Sequence, residues 1–449
     1  MENRRTFIRK SLLGTAGMTL GVTAFSAGSY RRIIGANNRV RVGLVGFSDR
    51  AKESLIPSFQ NHAGSLNFEL VSVSDIWKRR REEGVAFLQQ RYGLKAMAMR
   101  NNEEMYEKGD VDAVIISTAD FQHALHTVEA VRAGCDAYVE KPFAETMEDA
   151  RLGMDAVKDT GRIIQIGSQR RSGSNYHAAH EFINSGRFGK ITMVEMTWNV
   201  NQPGRWRRPA LVASVRKEDT DWTRYLMNRP YEEWDPRKYL EYRLFWPYSS
   251  GIPGQWMSHQ IDTVHWFSGL SYPRSVAANG GIYMWNDGRT NYDTMTAVFD
   301  YGPVDDPASG FQVLYSSRMH NSAGGVKEWY FSNGGKLDLA ANVVNSEGGL
   351  TERYASAMGM EPFQLEEFKL PTLSVSTAAS MGSDPLTSAH MKNWMESIRS
   401  GKETNAPVET GYNHSVANVM VTAALMTGLK TRYDEKSREV MAGDEVFKY

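Results

Sequence analysis

The residue types best suited to proton chemistry stand at positions 140–142, where Glu140 and Lys141 precede Pro142. The apolar run 112–117 lies one helix length upstream, so this motif ends the next strand of a β-α-β series. Ligands of open parallel sheets collect at the carboxyl ends of the strands. The pattern therefore predicts that a lysine, held beside a rigid proline, faces a ligand. Taken alone, the tripeptide would also fit a strand end with a surface ion pair.

Several segments, taken in order, carry a resemblance to a known family. They are 39–48, 112–123, the Glu140-Lys141-Pro142 motif, 186–191 and 254–269. Together they resemble the Gfo/Idh/MocA oxidoreductases. The resemblance implies a doubly wound Rossmann domain with a parallel sheet, then a domain built on a large, mostly antiparallel sheet. It also implies a nicotinamide cofactor, a sugar substrate and a Lys141 that lies against the nicotinamide and the reacting carbon.

The segment 254–269 resembles the family helix in which an Asp and a His stand four residues apart, with another Asp three residues later. His259 and Asp262 match this pattern, but Gln255 replaces the first Asp. The predicted base is Lys141 or His259, and the sequence does not decide between them. Histidine titrates near neutral pH, whereas the lysine would need its pKa lowered by burial. A buried structural histidine is the alternative.

Further substrate contacts are predicted from arginine and aromatic side chains. Arg171 ends a segment that faces the cleft in the family, and Gln255 and Asp262 are expected to reach the sugar. Seven of the 11 tryptophans lie between positions 198 and 266. Flat aromatic faces stack on sugar rings, so Trp206 is predicted to bind substrate. For any single tryptophan, a loop core or a subunit interface is an equal alternative.

The predicted dinucleotide loop follows the apolar run 40–45 and begins at Gly46. Ser48 and Ala51 stand where the second and third glycines of the usual fingerprint would be. Alanine still permits close helix packing, but serine places a side chain where the backbone should approach the pyrophosphate. The backbone amides of Gly46, Phe47 and Ser48 are nevertheless expected to hold the cofactor phosphates.

Asp75 ends the second predicted strand and is expected to accept hydrogen bonds from the adenosine ribose. A carboxylate there repels a 2′-phosphate, which favours NAD. The basic run 78–81 leaves NADP open, although such a run is more often a solvated helix face. At the other end of the cofactor, Thr118, His123, Glu140 and Lys141 are predicted ligands. A non-catalytic, helix-capping role is the alternative for His123.

Composition excludes several functions. Lys+Arg and Asp+Glu both number 52, so the formal net charge is zero. A neutral chain is not attracted to nucleic acid by its overall charge, and no nucleic-acid partner is expected. No metal site is predicted. Cys135 is the sole cysteine, so no intrachain disulfide is expected.

The predicted domains are a signal over 1–30, a Rossmann domain over 31–160 and a substrate-binding and oligomerisation domain over 161–449. The final helices are expected to pack back toward the Rossmann domain.

Residues 1–30 have the layout of a twin-arginine export signal. The basic run 3–10 precedes an uncharged stretch, 11–29, rich in Ala, Gly, Leu and Thr. This stretch is too weakly hydrophobic for a stable membrane span, so we expect a periplasmic protein with no stable span after signal removal. Because nicotinamide cofactors are scarce outside the cytoplasm, the dinucleotide is expected to be tightly held. A homo-oligomer assembled through the C-terminal sheet is also expected.

These observations lead to three hypotheses. The first is an exported oxidoreductase that transfers hydride between a secondary hydroxyl of a sugar or glycoside and the cofactor, similar to the glucose-fructose oxidoreductase-like and NAD-dependent sugar dehydrogenases. The second is a glycoside hydrolase that uses NAD without net redox change. The third is a sugar-binding relative without activity, suggested by the imperfect glycine loop and by Gln255.

Overall fold

The computed structural model describes residues 38–108, 110–371 and 384–448. The predicted export signal over 1–30 lies outside these residues. Within them, no helix is long and apolar enough to cross a membrane. The described part of the chain also holds no group of three or more His, Cys, Asp or Glu side chains placed to bind a metal ion.

The first sheet contains six parallel strands in the order β3-β2-β1-β4-β5-β6. Its central strands are mostly apolar and almost completely buried, because helices cover both faces of a doubly wound sheet. The order reverses between β1 and β4, which creates the crevice where such folds bind nucleotides. The predicted Rossmann fold is confirmed. The strands are β1 (Val40–Val45), β2 (Phe68–Ser74), β3 (Met97–Met99), β4 (Ala113–Ile116), β5 (Asp136–Val139) and β6 (Ile164–Ile166).

Five helices connect these strands. A π-helical turn over Ala51–Leu55 leads into the first of them, directly after the glycine loop. The helices are α1 (Ile56–Leu66), α2 (Lys78–Tyr92), α3 (Asn102–Lys108), α4 (His123–Arg132) and α5 (Met147–Thr160).

Strand β6 lies in the first sheet, although the sequence places this segment in the second domain. It pairs in parallel with β5, with Ala137 opposite Ile164 and Val139 opposite Ile166. A strand of three residues carries no signal for the sheet that it joins.

The second sheet contains 11 strands in the order β14-β13-β12-β11-β7-β10-β9-β8-β15-β16-β17. Only β7 and β10 pair in parallel, so the predicted mostly antiparallel sheet is confirmed. Burial alternates along β9, β10 and β11, as in a sheet with one face in the core. The strands are β7 (Met193–Asn199), β8 (Ser275–Gly281), β9 (Thr294–Tyr301), β10 (Phe311–Arg318), β11 (Val326–Ser332), β12 (Gly335–Asp338), β13 (Val343–Asn345), β14 (Phe368–Lys369), β15 (Thr431–Asp434), β16 (Glu439–Ala442) and β17 (Glu445–Val446).

The helices of the second half surround this sheet and the first domain. A π-helical turn, Pro253–Met257, precedes α10. Helix α12 packs against α1, and α13 packs against α5 and α10. The helices are α6 (Ser174–Asn184), α7 (Pro209–Ser214), α8 (Trp222–Leu226), α9 (Pro236–Leu240), α10 (Ser258–Ser268), α11 (Glu352–Ala357), α12 (Pro385–Ser400) and α13 (Val408–Thr427).

Residues 200–252, between β7 and the second π-helical turn, form an insertion that covers the carboxyl ends of the Rossmann strands. Its Tyr225 carbonyl accepts a hydrogen bond of 2.7 Å from Gln122. A fully buried ion pair joins its Arg229 to Asp149 of α5 at 2.9 Å. The insertion therefore forms one wall of the cleft between the two sheets.

Candidate active site

A cavity of about 1110 Å³ extends from the glycine loop after β1 to the start of α10. This volume exceeds that of most small-molecule pockets, so it can hold a dinucleotide together with a sugar. Most predicted site residues line it: Gly46, Phe47, Ser48, Asp75, Thr118, His123, Glu140, Lys141, Trp206, Gln255 and His259. Arg171 and Asp262 are not part of the lining.

The glycine loop has the geometry of a dinucleotide cradle. Gly46 has a φ of +85°, and a Cβ there would lie 2.8 Å from Thr118 Cγ2, so only glycine fits. The Ser48 hydroxyl accepts a hydrogen bond from the Ala51 amide and donates one to Ser117, both at 3.1 Å. The serine thereby caps the following helical turn, which explains how it replaces the second glycine.

Asp75 anchors the loop as well as lining the cavity. Its two carboxylate oxygens accept hydrogen bonds from the amides of Phe47 and Trp77, both at 2.9 Å. A carboxylate has about four lone-pair sites, so acceptor capacity remains for a ribose. Of the nearby basic side chains, Arg80 pairs with Asp49 at 3.1 Å and Arg81 with the Asp75 carbonyl at 3.1 Å.

Two buried polar atoms at the opposite end of the crevice have no hydrogen-bond partner: Thr118 Oγ1 and His123 Nε2. His123 Nδ1 donates to the Pro142 carbonyl at 2.7 Å, so Nε2 carries the lone pair and is an acceptor. Burial lowers the pKa of His123 and keeps it neutral. Both atoms belong to cavity-lining residues, and they fit the polar edge of a nicotinamide.

Lys141 follows β5 and points at the start of the second domain. Its Nζ donates to the Gln255 carbonyl at 2.7 Å. Burial lowers its pKa to about 8, although the charges of Glu140 and Asp120 act in the opposite direction. Glu140 is itself fixed by Arg50, at 2.9 Å. The lysine therefore exchanges a proton close to neutral pH.

His259, on α10, lies in the same part of the cavity. Its ring stacks on Trp198, with a centroid distance of 5.8 Å. Burial, followed by the charges of Lys141 and Arg170, lowers the pKa of His259 well below its ordinary value. The imidazole is therefore neutral at working pH and can hydrogen-bond a hydroxyl, but it holds a proton poorly.

Asp120, a carboxylate of the Rossmann domain, lies beside Gln255, which stands where the family has an Asp. Asp120 Oδ2 accepts hydrogen bonds from Gln255 Nε2 and Ser249 Oγ, both at 2.6 Å. Gln255 Oε1 in turn accepts from Arg243 Nε at 2.8 Å. Asp120 was missed because nothing in its sequence spacing relates it to Gln255, 135 residues later.

Arg171 and Asp262 bind each other instead of facing the cavity. Three hydrogen bonds of 2.9–3.1 Å join the guanidinium to the carboxylate, and Asp262 is fully buried. The neighbouring Arg170 lines the cavity and pairs with the buried Glu328. Successive side chains of the 3₁₀ turn at 169–172 point about 120° apart, so only one of the two adjacent arginines can face the cleft.

The tryptophans divide between cavity and core. Trp198, Trp206 and Trp256 line the cavity. Trp222 and Trp234 contact each other edge-on inside the insertion, at 5.3 Å. Trp266 stacks on His180 at 5.0 Å, away from the cavity. The loop-core alternative therefore holds for much of the cluster.

A comparison with known protein families finds a match to the Rossmann domain. The class defined by the fold and the crevice is that of dinucleotide-binding Rossmann proteins. Residues 40–168 match the model of the Gfo/Idh/MocA family, described as "Oxidoreductase family, NAD-binding Rossmann fold". The Rossmann domain therefore resembles that family over these residues, and the predicted cofactor, NAD, is confirmed as the type that such a domain binds.

The names of two proteins with similar sequences indicate that those proteins act on sugars or cyclitols. The 1,5-anhydro-D-fructose reductase of Ensifer adhaerens is 29% identical over 197 residues, covering 42% of this chain and 56% of that protein. An inositol 2-dehydrogenase of Klebsiella pneumoniae is 26% identical over 194 residues, covering 43% and 56%. The chain thus spans little more than half the length of these relatives.

A solved structure extends the likeness of fold to both domains. The WlbA dehydrogenase of Bordetella pertussis, crystallised with NADH and UDP-GlcNAcA, has a TM-score of 0.62 and 16% sequence identity to this chain. The match covers 88% of this chain and 99% of that one.

Proposed function

We propose that the protein is an NAD-dependent oxidoreductase that oxidises a secondary hydroxyl of a sugar or glycoside to a carbonyl. The observation that carries this proposal is the meeting of Lys141 and His259, from different domains, in the cavity that begins at the Gly46 loop. The names of the sequence relatives support a sugar or cyclitol substrate.

Thr118 and His123 would hold the nicotinamide of a bound cofactor, which would supply the acceptor for the hydride of the carbinol carbon. As that C–H bond breaks, the hydroxyl proton passes to Lys141, whose pKa of about 8 matches neutral working conditions. Neutral His259 hydrogen-bonds the same oxygen and fixes its direction. The product is a ketone, and the lysine holds one additional proton until solvent removes it.

The lining also favours NAD over NADP. Asp75 presents a carboxylate where a 2′-phosphate would lie, and Arg80 and Arg81 are already engaged by acceptors of the protein. Isothermal titration with each dinucleotide measures this preference.

A panel of glycosides, cyclitols and free sugars tests the proposal. We expect reduced-nicotinamide absorbance to rise together with a product two hydrogens lighter than its substrate. Lys141→Ala and His259→Ala are expected to abolish both signals while cofactor binding persists. Lys158→Ala, at a surface lysine that is 57% exposed, is the matched control and should keep full activity.

Other outcomes would identify a different function. Release of an aglycone without net redox change would point to the NAD-dependent hydrolase. Binding of sugars with neither signal would point to a sugar-binding protein. Full activity in His259→Ala would remove the histidine from the proposed pair.

We also propose export by the twin-arginine route, because the run 3–10 and the uncharged stretch 11–29 have that layout. Expression of the full chain in a bacterium with and without a functional twin-arginine translocase tests it. Accumulation in the periplasm only when the translocase is present is the expected result.

A further inference from the structure

Most of the arginines that line the cavity form an ion pair with a carboxylate, and one does not. Arg50 pairs with Glu140, Arg80 and Arg208 with Asp49, Arg170 with Glu328, and Arg224 with Glu103 and Glu129. Arg243 lies 3.9 Å from Asp120. Among the described residues, Arg205 alone in this set has no carboxylate within ion-pair distance, and its guanidinium bonds only the neutral Gln202, at 2.7 Å.

Arg205 is also electrostatically unfavourable as it stands. Burial, followed by the charges of Arg243 and Arg208, lowers its pKa to about 10. An arginine normally keeps its charge under all physiological conditions. The local excess of positive charge means that an anion bound here would stabilise the site, which no neutral sugar would do.

Contacts with aromatic rings link Arg205 to the part of the cavity that contains His259. The next residue, Trp206, is buried and has a φ of +63°, a conformation that bulky residues rarely adopt. The Arg205 guanidinium lies 5.6 Å from the Trp256 ring, and Trp256 stacks on Trp198, which also stacks on His259. One row of aromatic rings thus connects the unpaired arginine to the proposed reaction centre.

We infer that the sugar substrate carries an oxyanion, a carboxylate or a phosphate ester, and that Arg205 binds it with Arg243 beside it. A guanidinium can hold either group through two parallel hydrogen bonds. Arg243 donates from its Nε to Gln255, which leaves its terminal nitrogens available for the same anion. This inference rests on the proposed oxidation for its substrate, but the anion site itself is testable by binding alone.

The test uses matched pairs of methyl glycosides: each uronide with its neutral parent hexoside, and each hexoside 6-phosphate with the same parent. Binding to the NAD-loaded full chain is measured by calorimetry, and oxidation by the absorbance of reduced nicotinamide. At least one acidic member is expected to bind about ten- to a hundredfold more tightly than its parent, the range expected for one charged hydrogen-bonded pair. The uronide and phosphate arms decide which oxyanion it is.

Arg205→Gln is expected to abolish this preference while leaving the affinity for NAD unchanged. Arg205→Lys keeps the charge but loses the paired geometry, so it should retain part of the preference. Arg216→Gln removes the same charge from an exposed site in the same insertion and should behave as the parent protein.

Three results would overturn the inference. They are equal binding of acidic and neutral partners, an Arg205→Gln effect that is the same for both, and an Arg205→Gln variant that loses NAD instead. The last result would assign the arginine to the cofactor. Selective binding of an acidic sugar without any nicotinamide reduction would instead support the anion site and refute the proposed oxidation.

Discussion

The pKa of Lys141 leads to a prediction about the pH profile of the proposed sugar oxidation. The lysine must lose its proton before it can accept one from the substrate, so the rate should rise with pH through a limb near 8. In the reverse direction the protonated lysine is required, and the rate should fall through the same limb. The replacement of Asp120 by asparagine removes a negative charge that raises this pKa, so the limb should move to lower pH.

The size of the effect follows from the shift. A pKa of about 8 in place of 10.5 corresponds to about 3 kcal/mol against the charged form. At pH 7 about one lysine in ten is then neutral, whereas on the order of one in a few thousand would be neutral at the ordinary pKa. Asp120→Asn should move the limb by about one pH unit, as loss of a nearby opposite charge does.

Glu82→Gln is the matched control. The Glu82 side chain lies on α2 and is 60% exposed, so solvent and salt screen its charge. Its exchange for an amide removes one negative charge from the surface, and the limb should stay in place.

The assay is the initial rate of nicotinamide reduction with the best alcohol of the panel, from pH 5.5 to 9.5, at saturating cofactor. Thermal melts of each variant show that it is folded. A limb that stays in place in Asp120→Asn, or that moves equally in Glu82→Gln, would refute the assignment of the limb to a lysine under the influence of Asp120.

Three further predictions concern the scaffold of the site. Gly46→Ala should weaken NAD binding, measured by calorimetry, because its Cβ would lie 2.8 Å from Thr118 in a left-handed backbone; unchanged affinity would contradict this reading of the loop. Arg171→Leu should lower the stability by about 3–5 kcal/mol, measured by urea unfolding, because it leaves the buried Asp262 without its partner. The same variant should keep the substrate preference, and a changed preference would return Arg171 to the substrate site. Asp75→Ala should reduce the preference for NAD over NADP in competition binding, since it removes the carboxylate that would repel a 2′-phosphate.

The sequence predicted the fold where periodicity and order were informative. Buried apolar runs such as 112–117, with helices between them, determine a parallel sheet, and the long series of alternating strands determines the antiparallel one. Strand β6 was misplaced because three residues cannot show which sheet they complete. The cavity-lining positions of Lys141 and His259 agree with the family motifs that suggested them.

The remaining site residues depend on contacts that spacing cannot reveal. Asp120 meets Gln255 only because two domains fold together, and the choice of Arg170 over Arg171 depends on the rotation of one 3₁₀ turn. Arg205 stands out only after its neighbours have been paired with their carboxylates. Such information lies in three-dimensional proximity and not in the order of residues.

The insertion over 200–252 both lines the cavity and contacts the Rossmann domain. It contributes Arg205 and Trp206 to the cavity, and its Arg229 forms a buried ion pair with Asp149 of that domain. A change of length or composition that alters the cavity would therefore disturb the junction between the halves. Exchange of single side chains at constant length is expected to change the cavity and to leave this junction intact.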